Sequence, residues 1–357
     1  MGFYRPGSVK VHGIIGPRNP VRGLPQGGRV STDSGGRVPR AGPGNDAFGV
    51  PDDLIRCQHG VVTRVQAIAG GLTRSQIEVR LCTGRWRRIF TGVYLTFNGP
   101  VPRRSLLWAV VLRAGPDAVL SHETAAELVG MGEPTTVIHV TVPTHRTPGR
   151  IPGVVIHRSV HLTRCRHPTR MPPQTRVEDT VVDLTQTCRR LDDAMAWLAR
   201  AVGSRVTTPE RLAARFRARP KLRDRRSLLA ALNDVAAGCH SLVELKYLRD
   251  VERAHGLPPS QRQVRRESES RYDDVRYREF RTRVELDGRA AHPEHERWRD
   301  MRRDNAAVLA GDQVLRYGLG DVEGSPCELA SQVAAVLTPA GWPGQPHPCS
   351  RPGCVIP

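Results

Sequence analysis

The chain has 357 residues, with 54 basic against 35 acidic side chains, a net charge of +19 and an isoelectric point near 10.7. No run of 18 apolar residues and no charged-then-apolar leader occurs, so the expectation is a cytoplasmic protein with no membrane partner. The length suffices for two or three domains, and the positive charge, mostly arginine, favours a phosphate backbone without reading its sequence.

Residues 1–53 are rich in Gly, Pro and Arg and lack apolar periodicity, which predicts a disordered tail or a segment outside the natural start. Order is expected from near Val61. Thr63 caps a short helix with Val65 and Ile68 inside, ended by Gly70 and Gly71; Thr73 caps a second helix carrying Ile77 and Leu81, ended at Gly84. Trp86 to Leu95 then reads as a two-stranded ribbon turning at Thr91 and Gly92. Helix, tight turn, helix and ribbon spell a winged helix-turn-helix over residues 57–100. Its second helix offers Arg74, Ser75, Gln76 and Arg80, and the ribbon carries Arg87 and Arg88, residue types that grip phosphates or read base edges of duplex DNA. A winged helix used only as a structural or dimer-forming module is the alternative.

Gly60 to about Leu128, with Gly-Val-Val-Thr-Arg-Val-Gln-Ala, Gly-Arg-Trp-Arg-Arg, Gly-Val-Tyr and Leu-Ser-His-Glu-Thr-Ala-Ala, resembles the AbiEi-type antitoxin N-terminal domain. That resemblance implies operator binding and regulation of a partner toxin. Across residues 101–203, strand-like runs at Val137 to Val142 and Gly153 to His157 and a helix near Asp192 to Val202 suggest an α+β scaffold without chemistry of its own. Thr175 to Asp183 resembles the following segment of the same family. Between Arg205 and Arg226 only Glu210 and Asp224 oppose the basic residues, so 204–238 reads as a solvated helical linker, with a DNA channel as the alternative.

From residue 239 the pattern changes. Ser241 and Glu244 form a capping-box pattern opening a helix that ends at His255-Gly256-Leu257-Pro258. Gln261 to Arg266 reads as a strand and Glu267 to Ser270 as a turn. Arg271 to Tyr277 and Arg283 to Asp287 read as two further strands. In the second of these, Val284 and Leu286 share one face, and Glu285 and Asp287 the other. In the first, Asp274 lies opposite Val275 and Tyr277. If the apolar faces pack, Asp274, Glu285 and Asp287 converge, and three close carboxylates call for a divalent cation. A solvated polar sheet face is the bland alternative. His292 follows in a loop, a helix is expected from Glu294 to Gly311, and Gln313 to Tyr317 reads as a last strand.

That order of elements, with Ser241-Leu-Val-Glu244, Tyr272-x-Asp-Val275, Val284-Glu-Leu-Asp-Gly288, His292, Arg303-Asp-Asn305 and Val314-Leu-Arg316, resembles the very-short-patch-repair-like branch of the PD-(D/E)XK nucleases. The resemblance spans roughly residues 240–335 and implies a restriction-endonuclease-like αβββαβ core over 239–340, with duplex DNA as substrate. By position, Asp274 and Glu285 hold Mg²⁺ or Mn²⁺ and Glu244 completes the acidic cluster. Asp287 stands where the superfamily usually has lysine, which leaves His292 as the substitute base or proton donor. The fold class expected is thus a multidomain α+β and α/β chain.

The eight cysteines are scattered and read as reduced thiols. Only in the Pro/Gly/Cys-rich tail, residues 341–357, do His347, Cys349 and Cys354 cluster. With Cys327 they could supply four zinc ligands, but the C-x₄-C spacing and the Pro/Gly-rich sequence weigh against a structural zinc. Two function classes remain. One is a metal-dependent endonuclease delivered by a winged helix, needing no small-molecule cofactor. The other is a non-catalytic DNA-binding regulator or antitoxin with a possible toxin partner.

Overall fold

The computed structural model describes residues 49–265, 272–287 and 311–357. It is a mixed α/β chain with three small sheets among the described residues. The expectation for residues 1–53 falls mostly outside the described residues. At its boundary the packed chain begins earlier than Val61: Val50 is buried, and Leu54 and Ile55 of the Asp52–Cys57 helix pack on Val62, Ala67, Leu72 and Ile77. Three apolar residues in six are too short a signal to stand out beside a Gly/Pro-rich tail.

Strand β1 (Val61–Thr63) leads into the Arg64–Ala69 helix, and the Arg74–Cys82 helix into β2 (Arg87–Phe90) and β3 (Val93–Leu95). Both helices start on full capping boxes, Thr63 with Gln66 and Thr73 with Gln76, which satisfy amide donors that the first turn leaves over. The strands form an antiparallel sheet in the order β1-β3-β2, and Gly92, at φ 75°, makes the β2–β3 turn. Ile77 is buried as expected, but Val65 (77% exposed) and Ile68 face outward while Ala67 fills the core position. In a six-residue helix the residue facing the core is set by entry from β1, not by periodicity.

The Arg103–Ala114 helix covers a second sheet of β4 (Val119–Leu120), β5 (Ile138–Pro143) and β6 (Val154–Ser159), in the order β4-β5-β6, with β5 and β6 parallel. Next come helices Val177–Thr187, Leu191–Gly203, Pro209–Ala218 and Arg225–Ala236. The stretch read as a basic linker belongs to this helical body. Leu212, Phe216, Leu228, Leu232 and Val235 recur at helical spacing and are buried with Val181, Leu184 and Leu198. Its arginines are partly used inside: Asp179, almost fully buried, accepts from Arg215 and Arg219, and Arg219 also pairs with Asp183 at 2.8 Å.

The helix starting at Leu242 runs into a π-helical stretch, Tyr247–Arg253, and serves two cores at once. Leu245 and Leu248 face the helical body, while Val243, Tyr247 and Val251 face the third sheet. That sheet comprises β7 (Gln261–Arg265), β8 (Tyr272–Tyr277), β9 (Thr282–Asp287) and β10 (Gln313–Gly318), in the order β10-β9-β8-β7. β7 to β9 are an antiparallel meander and β10 pairs parallel to β9. Val275, Tyr277, Val284, Leu286 and Tyr317 pack under the Tyr247 stretch and the Pro326–Leu337 helix. The Glu267–Ser270 turn and the Glu294–Gly311 helix lie outside the described residues but for Gly311, a turn residue at φ 72°.

Candidate functional site

The β8–β9 ladder pairs Val275 with Val284 and Arg276 with Arg283, so the next step of the same register sets Asp274 against Glu285. Both are half-buried, on the face opposite the apolar residues, and Asp287 joins Glu285 there. The Oδ2 of Asp274 accepts from the Leu286 amide at 2.9 Å. Burial pushes the Asp274 carboxyl up to about 7, with the Glu244, Glu285 and Asp273 carboxylates adding to the rise and the Leu286 amide opposing it. The neighbouring Asp273 does different work. It is buried beside Arg276 at 3.3 Å and Arg283 at 3.6 Å, and both guanidiniums also hold the buried Asp312. One aspartate of the pair is neutralised by arginine, the other faces carboxylates.

Glu244 approaches from the helix as expected, but its oxygens are committed. Oε1 accepts from Ser241 Oγ at 2.7 Å, and Oε2 from the His240 amide at 3.0 Å and Gln263 Nε2 at 3.4 Å. Its influence on Asp274 is through space. Among the described residues no three carboxylates bring an oxygen within 4.8 Å of one another, so a three-acid cage is not preformed. Asp274 and Glu285 offer the oxygen donors that a hydrated Mg²⁺ takes, and such an ion needs only one or two of them from protein. His292 and the Arg303-Asp304-Asn305 motif lie outside the described residues.

On the first sheet, Arg74, Ser75 and Gln76 are exposed on the Arg74–Cys82 helix and Arg80 is half-buried. The Gln76 amide oxygen accepts from the Thr73 backbone N–H at 2.8 Å, so only its NH₂ group is left for an outside partner. Arg80 donates to the Gln76 carbonyl at 3.2 Å and lies 5.8 Å from the Trp86 ring centre. Arg87 donates to the Gly99 carbonyl at 3.0 Å, and Arg88 is exposed, 3.8 Å from Glu78.

Two further side-chain clusters lie apart from these surfaces, the first not expected and the second expected with another histidine. His122, at φ 50°, stacks on His157 with ring centres 3.7 Å apart, and His139 Nδ1 lies 3.0 Å from His157 Nε2 and Nε2 3.3 Å from Glu123. Burial drives His122 down to about 2 and His157 to about 4, each helped by the neighbouring rings, so this trio is neutral at physiological pH. The Ser121-His122-Glu123 run and the histidines of β5 and β6 were the available signal; adjacency of β5 and β6 was the missing fact. In the second cluster His255, Cys327, Cys349 and Cys354 bring one ligand atom each to within 4.8 Å of the others. The histidine is therefore not His347. That residue's ring is exposed against Gly256, and its backbone N–H donates to the His255 carbonyl at 3.0 Å.

No family model and no curated protein matches the chain. Among solved structures, a crystal structure of the RV2827C protein from Mycobacterium tuberculosis aligns at 18% identity over 52% of this chain and 80% of that one, with a TM-score of 0.33. A likeness at that level carries no argument about fold or activity. Among the described residues no helix is long and apolar enough to cross a membrane.

Proposed function

We propose that the protein is a metal-dependent DNA endonuclease whose C-terminal β7–β10 sheet is a very-short-patch-repair-like nuclease core and whose N-terminal module is a DNA-binding winged helix. The supporting observation is that Asp274 and Glu285 lie one step beyond the Val275–Val284 pair on one sheet face, with the Leu286 amide donating to Asp274 and the Asp274 carboxyl raised to about 7 by burial and by Glu244 and Glu285. A surface evolved only to bind phosphate gains nothing from half-buried carboxylates gathered on one sheet face. Asp274 and Glu285 would hold Mg²⁺ or Mn²⁺, which when bound supplies an activated water and neutralises charge at the scissile phosphate. Asp287 lies on the same face, and Glu244, on the helix, adds to the rise at Asp274 through space. Arg74, Arg80, Arg87 and Arg88 are the residues proposed to deliver the protein to duplex DNA, with Ser75 and the Gln76 amide group beside them. The order β1, helix, helix, β2, β3 with the ribbon at the end supports that reading.

The second reading, a regulator or antitoxin acting with a toxin partner, is favoured by one observation: the oxygens of Glu244 are spent on its helix cap and no third carboxylate closes the site among the described residues. Incubating the protein with plasmid, nicked and mismatched DNA under Mg²⁺ or Mn²⁺ separates the two. Cleavage that disappears in Asp274→Ala while DNA binding persists supports the nuclease. Millimolar metal binding without cleavage of any DNA form supports the regulator.

A further inference from the structure

The C-terminal tail returns to the sheet domain and plants Ile356 in the same core as Val251, Leu329 and Trp342. Where it crosses the end of the Tyr247 stretch and the start of the Pro326–Leu337 helix, three cysteines from two segments meet one histidine from a third. The Sγ atoms of Cys327 and Cys349 are 3.6 Å apart, and Cys354 Sγ is 3.7 Å from His255 Nε2. A thiolate–zinc bond of about 2.3 Å and an imidazole–zinc bond of about 2.0–2.1 Å in tetrahedral array set the S···S edge near ~3.8 Å and the S···N edge near ~3.6 Å. The observed separations match those edges, whereas a disulfide requires its sulfurs at about 2.0 Å.

The histidine is prepared for the role. His255 is fully buried, and its Nδ1 lies 3.0 Å from the Val251 carbonyl, which fixes the proton on Nδ1 and aims the Nε2 lone pair at the cysteines. An imidazole held through its other nitrogen by a carbonyl is the arrangement that ligating histidines generally adopt. Cys327 is buried at the first turn of the Pro326–Leu337 helix, on the side where the tail cysteines return. None of the four residues is among the groups acting on Asp274, and the cluster is independent of the nuclease reading.

We propose that His255, Cys327, Cys349 and Cys354 form a structural Zn²⁺ site that clamps the C-terminal tail to the two helices of the third sheet. With three thiolates and one imidazole the coordination sphere is filled by protein, leaving no position for a reacting water. His347 is not a ligand; it positions the tail through its backbone N–H.

The full chain, expressed with zinc in the medium and purified without chelator, is expected to carry about one zinc per chain by elemental analysis. Cys349→Ser and His255→Ala are each expected to lower that content at least tenfold, and His347→Ala to leave it unchanged. Because either loss could reflect misfolding, the unaltered protein supplies a second readout. Replacing zinc by Co²⁺ should give thiolate-to-metal charge-transfer absorption and the intense visible bands of a tetrahedral ion. Cys327, Cys349 and Cys354 should also resist alkylation until a chelator is added, whereas the exposed Cys57 and Cys82 react from the start. Unaltered protein that neither retains zinc nor gives the cobalt spectrum overturns the proposal. So does a disulfide among Cys327, Cys349 and Cys354 in protein made under reducing conditions, or a zinc content that depends on His347 rather than His255.

Discussion

Replacing Asp274 by asparagine removes one charge from a half-buried site and keeps an oxygen for the Leu286 amide at nearly the same place. In the unfolded chain this carboxyl titrates near 3.8, and in the folded protein burial and the Glu244 and Glu285 carboxylates raise it to about 7. The folded state thus holds the proton longer. Stability from this group is complete below 3.8, falls as pH rises between 3.8 and about 7, and stays low above. The full difference corresponds to about 4 kcal/mol, and partial exposure of the side chain reduces the effect to about 1–3 kcal/mol. The asparagine has no charge to lose, so Asp274→Asn should be more stable than the parent by that amount at pH 8 and equal to it at pH 4. Urea unfolding at both pH values, followed by tryptophan fluorescence, measures the difference directly.

The same comparison probes the cation. Millimolar Mg²⁺ should stabilise the parent at pH 8 in proportion to its occupancy and leave Asp274→Asn unmoved, since binding to the folded state alone adds stability by mass action. A site that trades stability for function behaves in this way. The reasoning fails if the variant is no more stable than the parent at pH 8, or if its advantage is the same at pH 4. It fails too if Mg²⁺ stabilises both proteins equally.

Asp179→Ala leaves Arg215 and Arg219 partly buried with one carboxylate fewer and should cost about 3 kcal/mol in urea unfolding; a cost near zero would return residues 204–238 to the status of a linker. The His122–His139–His157 trio should make the protein acid-labile, because the unfolded chain takes up protons from 6.5 downward while His157 resists to about 4 and His122 to about 2. His122→Asn, which tolerates the positive φ, should flatten the fall in Tm between pH 6.5 and 4, and an unchanged slope would exclude the trio as its source. Arg87→Ala with Arg88→Ala should weaken binding to every duplex alike and reduce the salt slope by about 2, as loss of two phosphate contacts requires. Affinity and salt slope that stay unchanged would leave the N-terminal module a structural one.

What the sequence made legible was local. The capping boxes at Thr63 and Thr73 and the simpler cap of Ser241 on the Glu244 amide each close within three residues, so side-chain chemistry alone marks where those helices start. Strand parity is equally local: once Val275, Tyr277, Val284 and Leu286 are assigned to one face, Asp274, Glu285 and Asp287 have no choice but the other. What was not legible depends on contacts made far along the chain. Charge hid the apolar stripe of Leu212 and Phe216, since arginines that look solvated in sequence are answered by Asp179 and Asp183 some 36 residues earlier. The histidine of the cysteine cluster shows the limit most sharply. Sequence proximity selects His347, two residues from Cys349, yet the ring that reaches the sulfurs is that of His255, 99 residues before Cys354. The tail runs past His255 with the His347 amide donating to the His255 carbonyl, which draws the two backbones together and turns the nearer imidazole outward. Backbone pairing between distant segments decides which of two identical side chains reaches the cysteines, and spacing within one segment carries no record of it.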